Sequence, residues 1–208
     1  MYLVKPPHII RKLSEKYIHW QVKTNEKVLY FTFDDGPIPE LTPKALKILD
    51  KYNAKATFFM VADNVRKHPD VYQQVMDAGH AIGNHSYNHV KGWKLSNEEY
   101  YSNIAKASDL LNTKLFRPPY GQISPSQAKH LAKDYNIIMW SVLSGDYDKN
   151  TSPEQCFNNI LRKAKNGSII VMHDNLKAEE NMLFALEESL KHFSQLGYRF
   201  DSLANIYE

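Results

Sequence analysis

Short runs rich in β-branched and aromatic residues alternate with longer helix-patterned stretches along most of the chain, and this rhythm leaves few folds open. Seven runs read as strands: Val28–Phe33, Ala56–Val61, His80–Gly83, Lys114–Phe116, Asn136–Val142, Ser168–Met172 and Tyr198–Asp201. Six helical stretches separate them, giving a strand-plus-helix period of about 25–35 residues, the span of a βαβ unit. Parallel strands need such crossovers, so the pattern predicts an α/β fold with a parallel sheet inside and helices outside.

Local signals mark the helix boundaries. Thr42-Pro43, Ser124-Pro125 and Ser152-Pro153 each place a hydroxyl N-cap before a proline suited to the first helical position. Ser96 and Glu99 have the spacing of a capping box. Gly79, Gly167 and Gly197 follow helical stretches, where a left-handed residue satisfies the last carbonyls. The segment 1–24 is expected to lie as a helix over one end of the fold, with 25–208 forming one domain. No low-complexity linker interrupts it.

At 208 residues, with 43% apolar and 24% charged residues, the chain suits a single well-filled core. The 26 basic and 23 acidic residues are spread evenly, and a net charge of +3 gives no reason to expect a nucleic-acid partner. Cys156 is the one cysteine and reads as structural, since it has no internal disulfide partner. No run approaches the roughly 18 apolar residues of a membrane span. Met1-Tyr-Leu-Val is cut off by Lys5, Pro6 and Pro7, so no export signal is visible and the chain is expected to be soluble; action at the cell envelope would call for a leader.

The unusual polar residues share one position in this pattern: Asp34-Asp35, His85 to His89, Arg117, Asp146 and His173 each follow the C-terminal end of a strand run. That rim is where βα folds build their sites. Each cluster also has a plain explanation. Asp34-Asp35-Gly36-Pro37 reads as a strand entering a turn, His85 and His89 as loop histidines, His173 as a loop-bonding residue, and Arg117 as a solvated arginine on a stiff Pro118-Pro119 connector. Two adjacent carboxylates nevertheless favour a nearby cation. Histidines four residues apart share one face of a helical turn, and with Asp35 they make a two-histidine, one-carboxylate set suited to catalytic zinc and equally to non-haem iron. Tyr120 carries the first backbone donor after Arg117, because prolines have none.

Taken together, Thr32-Phe-Asp-Asp-Gly-Pro37, His85-Ser-Tyr-Asn-His89, Arg117-Pro-Pro-Tyr-Gly121, Gly145-Asp-Tyr-Asp148 and Val171-Met-His173 resemble, in order and spacing, the five motifs of the polysaccharide deacetylase or NodB-homology family, the fourth family of carbohydrate esterases. The resemblance covers about residues 27–205. It implies a distorted (β/α)7 barrel and a hydrolase acting on linear amides. Asp35, His85 and His89 would ligate a divalent metal, most often zinc, with cobalt or nickel able to serve. Asp34 would be the general base with Arg117 as its partner, His173 the general acid held by Asp146, and the Tyr120 N–H an oxyanion donor. Tyr147 stands where the family usually has Trp, and Val171 where it usually has Leu, which bears on the apolar wall and on substrate preference.

The activity so implied is removal of N-acetyl groups from N-acetylglucosamine-containing glycans such as peptidoglycan or chito-oligosaccharide. An esterase on O-acetylated xylan would share every residue. A non-catalytic, metal-containing carbohydrate-binding protein is the alternative of another class, disfavoured because the base and acid positions are kept; a non-haem iron oxygenase rests on the ligand set alone. Trp93 is a candidate sugar platform, with ordinary packing the plainer expectation. Natural polymer, metal, oligomeric state and location are left open by the residues.

Overall fold

The computed structural model describes residues 7–207. Strand β1 (Ile18–His19) follows helix α1 (His8–Ser14), and β2 (Val28–Asp34) leads through α2 (Thr42–Lys51) to β3 (Thr57–Met60). Helices α3 (Ala62–Lys67) and α4 (Pro69–Asp77) lead to β4 (Ala81–Asn84), and α5 (Asn97–Leu111) to β5 (Leu115–Phe116). Then come α6 (Pro125–Leu131), β6 (Asn136–Ile138), β7 (Val142–Leu143), α7 (Pro153–Lys163), β8 (Ser168–His173), α8 (Glu179–Gln195), β9 (Arg199–Phe200) and α9 (Ala204–Tyr207). Each of the six crossovers carries a helix. The second is broken in two at His68-Pro69, where the proline starts a new helix.

All strand pairs are parallel, in the order β1-β6-β5-β4-β3-β2-β8-β7, with β9 also on β2. The expected strand 136–142 is two strands. Its halves lie near opposite ends of the sheet, because the Met139 N–H bonds His19 and the Ser141 N–H bonds Ile169. Three residues therefore carry the chain from one edge to the other and curl the sheet into the distorted single-domain barrel that the motif pattern implies. The segment before residue 25 differs from expectation. It is a short helix followed by β1, which covers the free edge of β6. Residues 1–6 of that expectation lie outside the described residues.

Every residue of β2 is buried, since helices cover one face and the barrel interior the other. Alternation divides the strand: Leu29, Phe31 and Phe33 pack outward with Leu41 just before α2, Ala45 and Leu49 of α2, and Met182 and Leu186 of α8. Val28 and Tyr30 pack inward with Phe59, Leu115, Ile138 and Ile169. Large side chains fully removed from water in this way contribute roughly 1.5–3 kcal/mol each. Thr32 and Asp34 continue the inward row, so in β2 the polar groups of the barrel interior lie toward its C-terminal rim. Cys156 is buried in α7 and unpaired.

The caps at Ser96, Ser124 and Ser152 form, the first two as capping boxes with Glu99 and Gln127. Thr42 does not cap α2. Its hydroxyl accepts from the Ile38 N–H and donates to Asp174 Oδ2 at 2.6 Å, so a buried carboxylate claims it.

Candidate active site

Asp34 and His173 are register partners at the ends of β2 and β8, so the sheet brings them side by side. The turn after Asp34 is tight: Asp35 has φ 88° and the Gly36-Pro37 bond is cis. A side chain at Gly36 would collide with the Asp174 carboxylate, which accepts from the Gly36 N–H at 2.9 Å. This compact turn aims Asp35 across the rim toward the segment after β4.

His85 and His89 do not sit on a helical turn. Residues 85–89 form a bend, with Ser86 at φ 65° and His89 at φ 58°. Asn84 Oδ1 accepts from the Ser86 N–H at 2.7 Å, and Asn103 Oδ1 from the Tyr87 N–H at 2.9 Å. The bend still brings the two rings together, with centroids 5.1 Å apart. One ligand atom from each of Asp35, His85 and His89 lies within 4.8 Å of the others. His89 Nε2 is 3.1 Å and His85 Nε2 3.7 Å from Asp35 Oδ1.

The donor set suits a cation. His85 Nδ1 lies 2.8 Å from the Arg117 carbonyl, which only accepts, so Nδ1 carries the proton and Nε2 offers a lone pair. Burial pushes the His85 ring down to about 4, against the pull of Asp34 and Asp35, so it is neutral at pH 7. Burial resists charge on Asp35 as well, yet the His89 contact and the fields of His173, His85 and His89 hold its carboxyl well below the usual range. Asp35 Oδ1 is buried and, among the described residues, lacks a well-aligned hydrogen bond, its nearest polar neighbour being His89 Nε2 at 3.1 Å. An ionised oxygen so placed, facing a neutral imidazole, is costly unless a cation completes the group.

Arg117 is not a solvated arginine. It is fully buried beneath the site, its guanidinium carbon 4.1 Å from the centre of the Phe59 ring. Nη1 donates to Asp34 Oδ1 and to Thr32 Oγ1, both at 2.7 Å, while Nε and Nη2 bond the Ile138 and Met139 carbonyls at 3.1 and 3.2 Å. Burial works against its charge, and Asp34 opposes that effect. The pair leaves Asp34 with one oxygen, Oδ1, bound.

Asp146, fully buried, grips His173 twice: Oδ2 accepts its backbone N–H at 2.7 Å and Oδ1 its Nδ1–H at 2.8 Å. Burial disfavours the imidazolium, but the Asp146 charge and hydrogen bond, with Asp35 and Asp34 beyond, outweigh it and push His173 up to about 9. Beside the carboxylates a proton-loaded ring thus faces the cleft through Nε2.

The cleft holds about 280 Å³ and is lined by Asp34, Asp35, His85, His89 and His173, with Tyr120, Gly121, Trp140, Leu143, Tyr147, Val171 and Asn175 around them. Tyr120 adopts φ 59° and places its ring 4.6 Å from that of His89. Tyr147 stands edge-on to His173, ring centroids 4.9 Å apart. Arg117 and Asp146 act from beneath the surface and do not line the cleft. Trp93 neither packs in the core nor lines the cleft; it is 65% exposed. Sequence reasoning missed Trp140, Leu143 and Asn175 as lining residues. Asn175 lies two residues after His173, beyond Asp174, and its place near a rim histidine was the only available signal.

The sequence model of the polysaccharide deacetylase family matches residues 21–140, more than half the chain. A peptidoglycan-N-acetylglucosamine deacetylase of Bacillus cereus is 35% identical over 208 residues, covering 95% of this chain and 97% of the relative. A chitooligosaccharide deacetylase of Azorhizobium caulinodans is 33% identical over 77% of this chain and 80% of its own. The crystal structure of a peptidoglycan N-acetylglucosamine deacetylase in complex with 4-naphthalen-1-yl-N-oxidanyl-benzamide superposes with a TM-score of 0.89, at 33% identity and 97% coverage of both chains. The rim geometry, the family match and relatives alike over nearly their full length agree, and the chain belongs to the polysaccharide deacetylase family of hydrolases.

Proposed function

We propose that this chain hydrolyses the N-acetyl group of N-acetylglucosamine-containing glycans of the peptidoglycan or chito-oligosaccharide type. One observation carries the reading. Asp34, braced by Arg117, and His173, charged by Asp146, end neighbouring strands beside the Asp35–His85–His89 cluster. A base and an acid so placed do nothing for simple sugar binding, but amide hydrolysis requires both.

Asp35, His85 and His89 would hold a divalent metal ion, zinc foremost, with cobalt or nickel also suited to the donors. When bound, such an ion supplies a Lewis acid for the acetyl oxygen and lowers the pKa of water from 15.7 toward about 7. Asp34 has Oδ1 tied to Arg117 and takes the proton of the attacking water on its other oxygen. His173, fixed through Nδ1, delivers a proton from Nε2 to the departing amine, without which a C–N bond breaks poorly. The Tyr120 N–H, on the rigid loop after Arg117, donates to the developing oxyanion. Leu143, Val171, Trp140 and Tyr147 supply an apolar wall for the acetyl methyl group.

Acetate release after metal loading tests this, using peptidoglycan, N-acetyl chito-oligosaccharides and O-acetylated xylan side by side. Release from an N-acetylated glycan is expected. Release from the xylan alone would make the chain an esterase, and no release from any of the three would end the proposal.

A further inference from the structure

Asp35 is pinned at several points that the proton transfers do not use. Its carbonyl accepts from Asn64 Nδ2 at 2.8 Å. On either side, the Asp174 N–H donates to the Asp34 carbonyl at 3.1 Å, and Asp174 Oδ1 accepts from the Gly36 N–H. These contacts fix the backbone but leave the side-chain torsions of Asp35 free. Among the described residues, Asn175 is the one that hydrogen-bonds Oδ2 of the carboxylate, Nδ2 donating at 2.6 Å. The amide is oriented from its far side, where Oδ1 accepts from the Ala178 N–H at 3.2 Å. A carboxylate only accepts, so both ends require the same amide orientation. The outcome is an Asp35 with one oxygen occupied and the other, Oδ1, buried, without a well-aligned hydrogen bond among the described residues and facing the two histidines.

We propose that Asn175 is a positioning residue for the cation site: by occupying Oδ2 it fixes the rotation of Asp35 and presents Oδ1 alone as the ligand atom. The inference rests on Asp35, His85 and His89 being the ligands of a divalent metal ion. Partners of this outer kind orient ligands before the ion arrives, and their loss typically lowers metal affinity roughly 10–100-fold. The strand end His173-Asp174-Asn175 then serves the site three ways. His173 faces the cleft, Asp174 ties the Asp35 turn to Thr42, and Asn175 sets the carboxylate.

Two variants of the full chain, stripped of metal, test this against Zn2+ and Co2+ alone. Asn175→Ala removes both contacts. Asn175→Ser keeps an oxygen able to accept the Ala178 N–H but is too short to reach Asp35. Both are expected to bind Zn2+ roughly 10–100-fold more weakly in competition with a chromophoric chelator. The visible spectrum of the Co2+ form should change in both, as the freed carboxylate binds differently. Metal-free Asn175→Ser should melt with the parent. Unchanged Zn2+ affinity in Asn175→Ser would overturn the inference, as would weaker binding accompanied by a lower metal-free melting temperature in that variant. A parent protein that binds neither ion would overturn the metal-site reading itself, and that failure is recognisable because no variant is involved.

Discussion

Asp146→Asn keeps the size of the side chain and removes the charge that makes His173 an acid. The elevation of that ring from 6.5 to about 9 amounts to about 3 kcal/mol in favour of the imidazolium. Burial, which disfavours the charge, remains in the variant, opposed only by the smaller pull of Asp35 and Asp34, so the ring is expected back at about 6.5 or below. At pH 7.5 its protonated fraction falls from about 97% to about 9% or less, and kcat/KM should drop at least about tenfold from this cause alone. The alkaline limb of the pH profile, near pH 9 in the parent, should move down by two or more pH units. Stability follows the same sign. A raised pKa contributes stability that is fully present below pH 6.5 and lost as pH rises through about 9, and this dependence should vanish in the variant. NMR titration of the His173 ring in metal-free protein reads the pKa without reference to activity. A ring that still titrates above pH 8 in Asp146→Asn would refute the reasoning.

Arg117→Met should cost about 3–5 kcal/mol in urea unfolding, because it leaves Asp34 charged and unpaired inside the barrel; a loss below about 1 kcal/mol would show that water reaches the pair. Gly83→Ala should destabilise by about 1–3 kcal/mol in thermal unfolding, since the new methyl meets the ring of the fully buried Phe59, which has nowhere to move. Removing bound metal with a chelator should abolish acetate release and lower the melting temperature, and zinc at a hundredfold excess over its Kd should restore about 2.7 kcal/mol of stability.

Much of the fold is visible in residue order, because β-branched runs and capped helices report local physics. Six of the seven strand runs correspond to single strands, and each crossover carries a helix. The run at 136–142 failed because its division depends on partners at His19 and Ile169, far away in sequence. Thr42 failed as a cap for a similar reason, its hydroxyl being claimed by Asp174 from β8's end. At the rim, the aspartates and histidines that line the cleft were legible as residue types that turns alone do not need, whereas Trp140, Leu143 and Asn175 were not. The bend that joins His85 to His89 was not, since left-handed Ser86 and His89 have no reliable sequence mark. Nor was the burial of Arg117, which follows from where β2 and the end of β6 deliver four oxygens.

The central claim is that Asp34 is the base of a metal-assisted deacetylation. It is tested most directly by acetate release from N-acetylated glycan in metal-loaded parent and Asp34→Asn, with zinc content measured in both. Parent activity with a loss of about 10²–10⁴-fold in the variant at equal zinc is the predicted result. Release undiminished in Asp34→Asn at equal zinc would contradict the account.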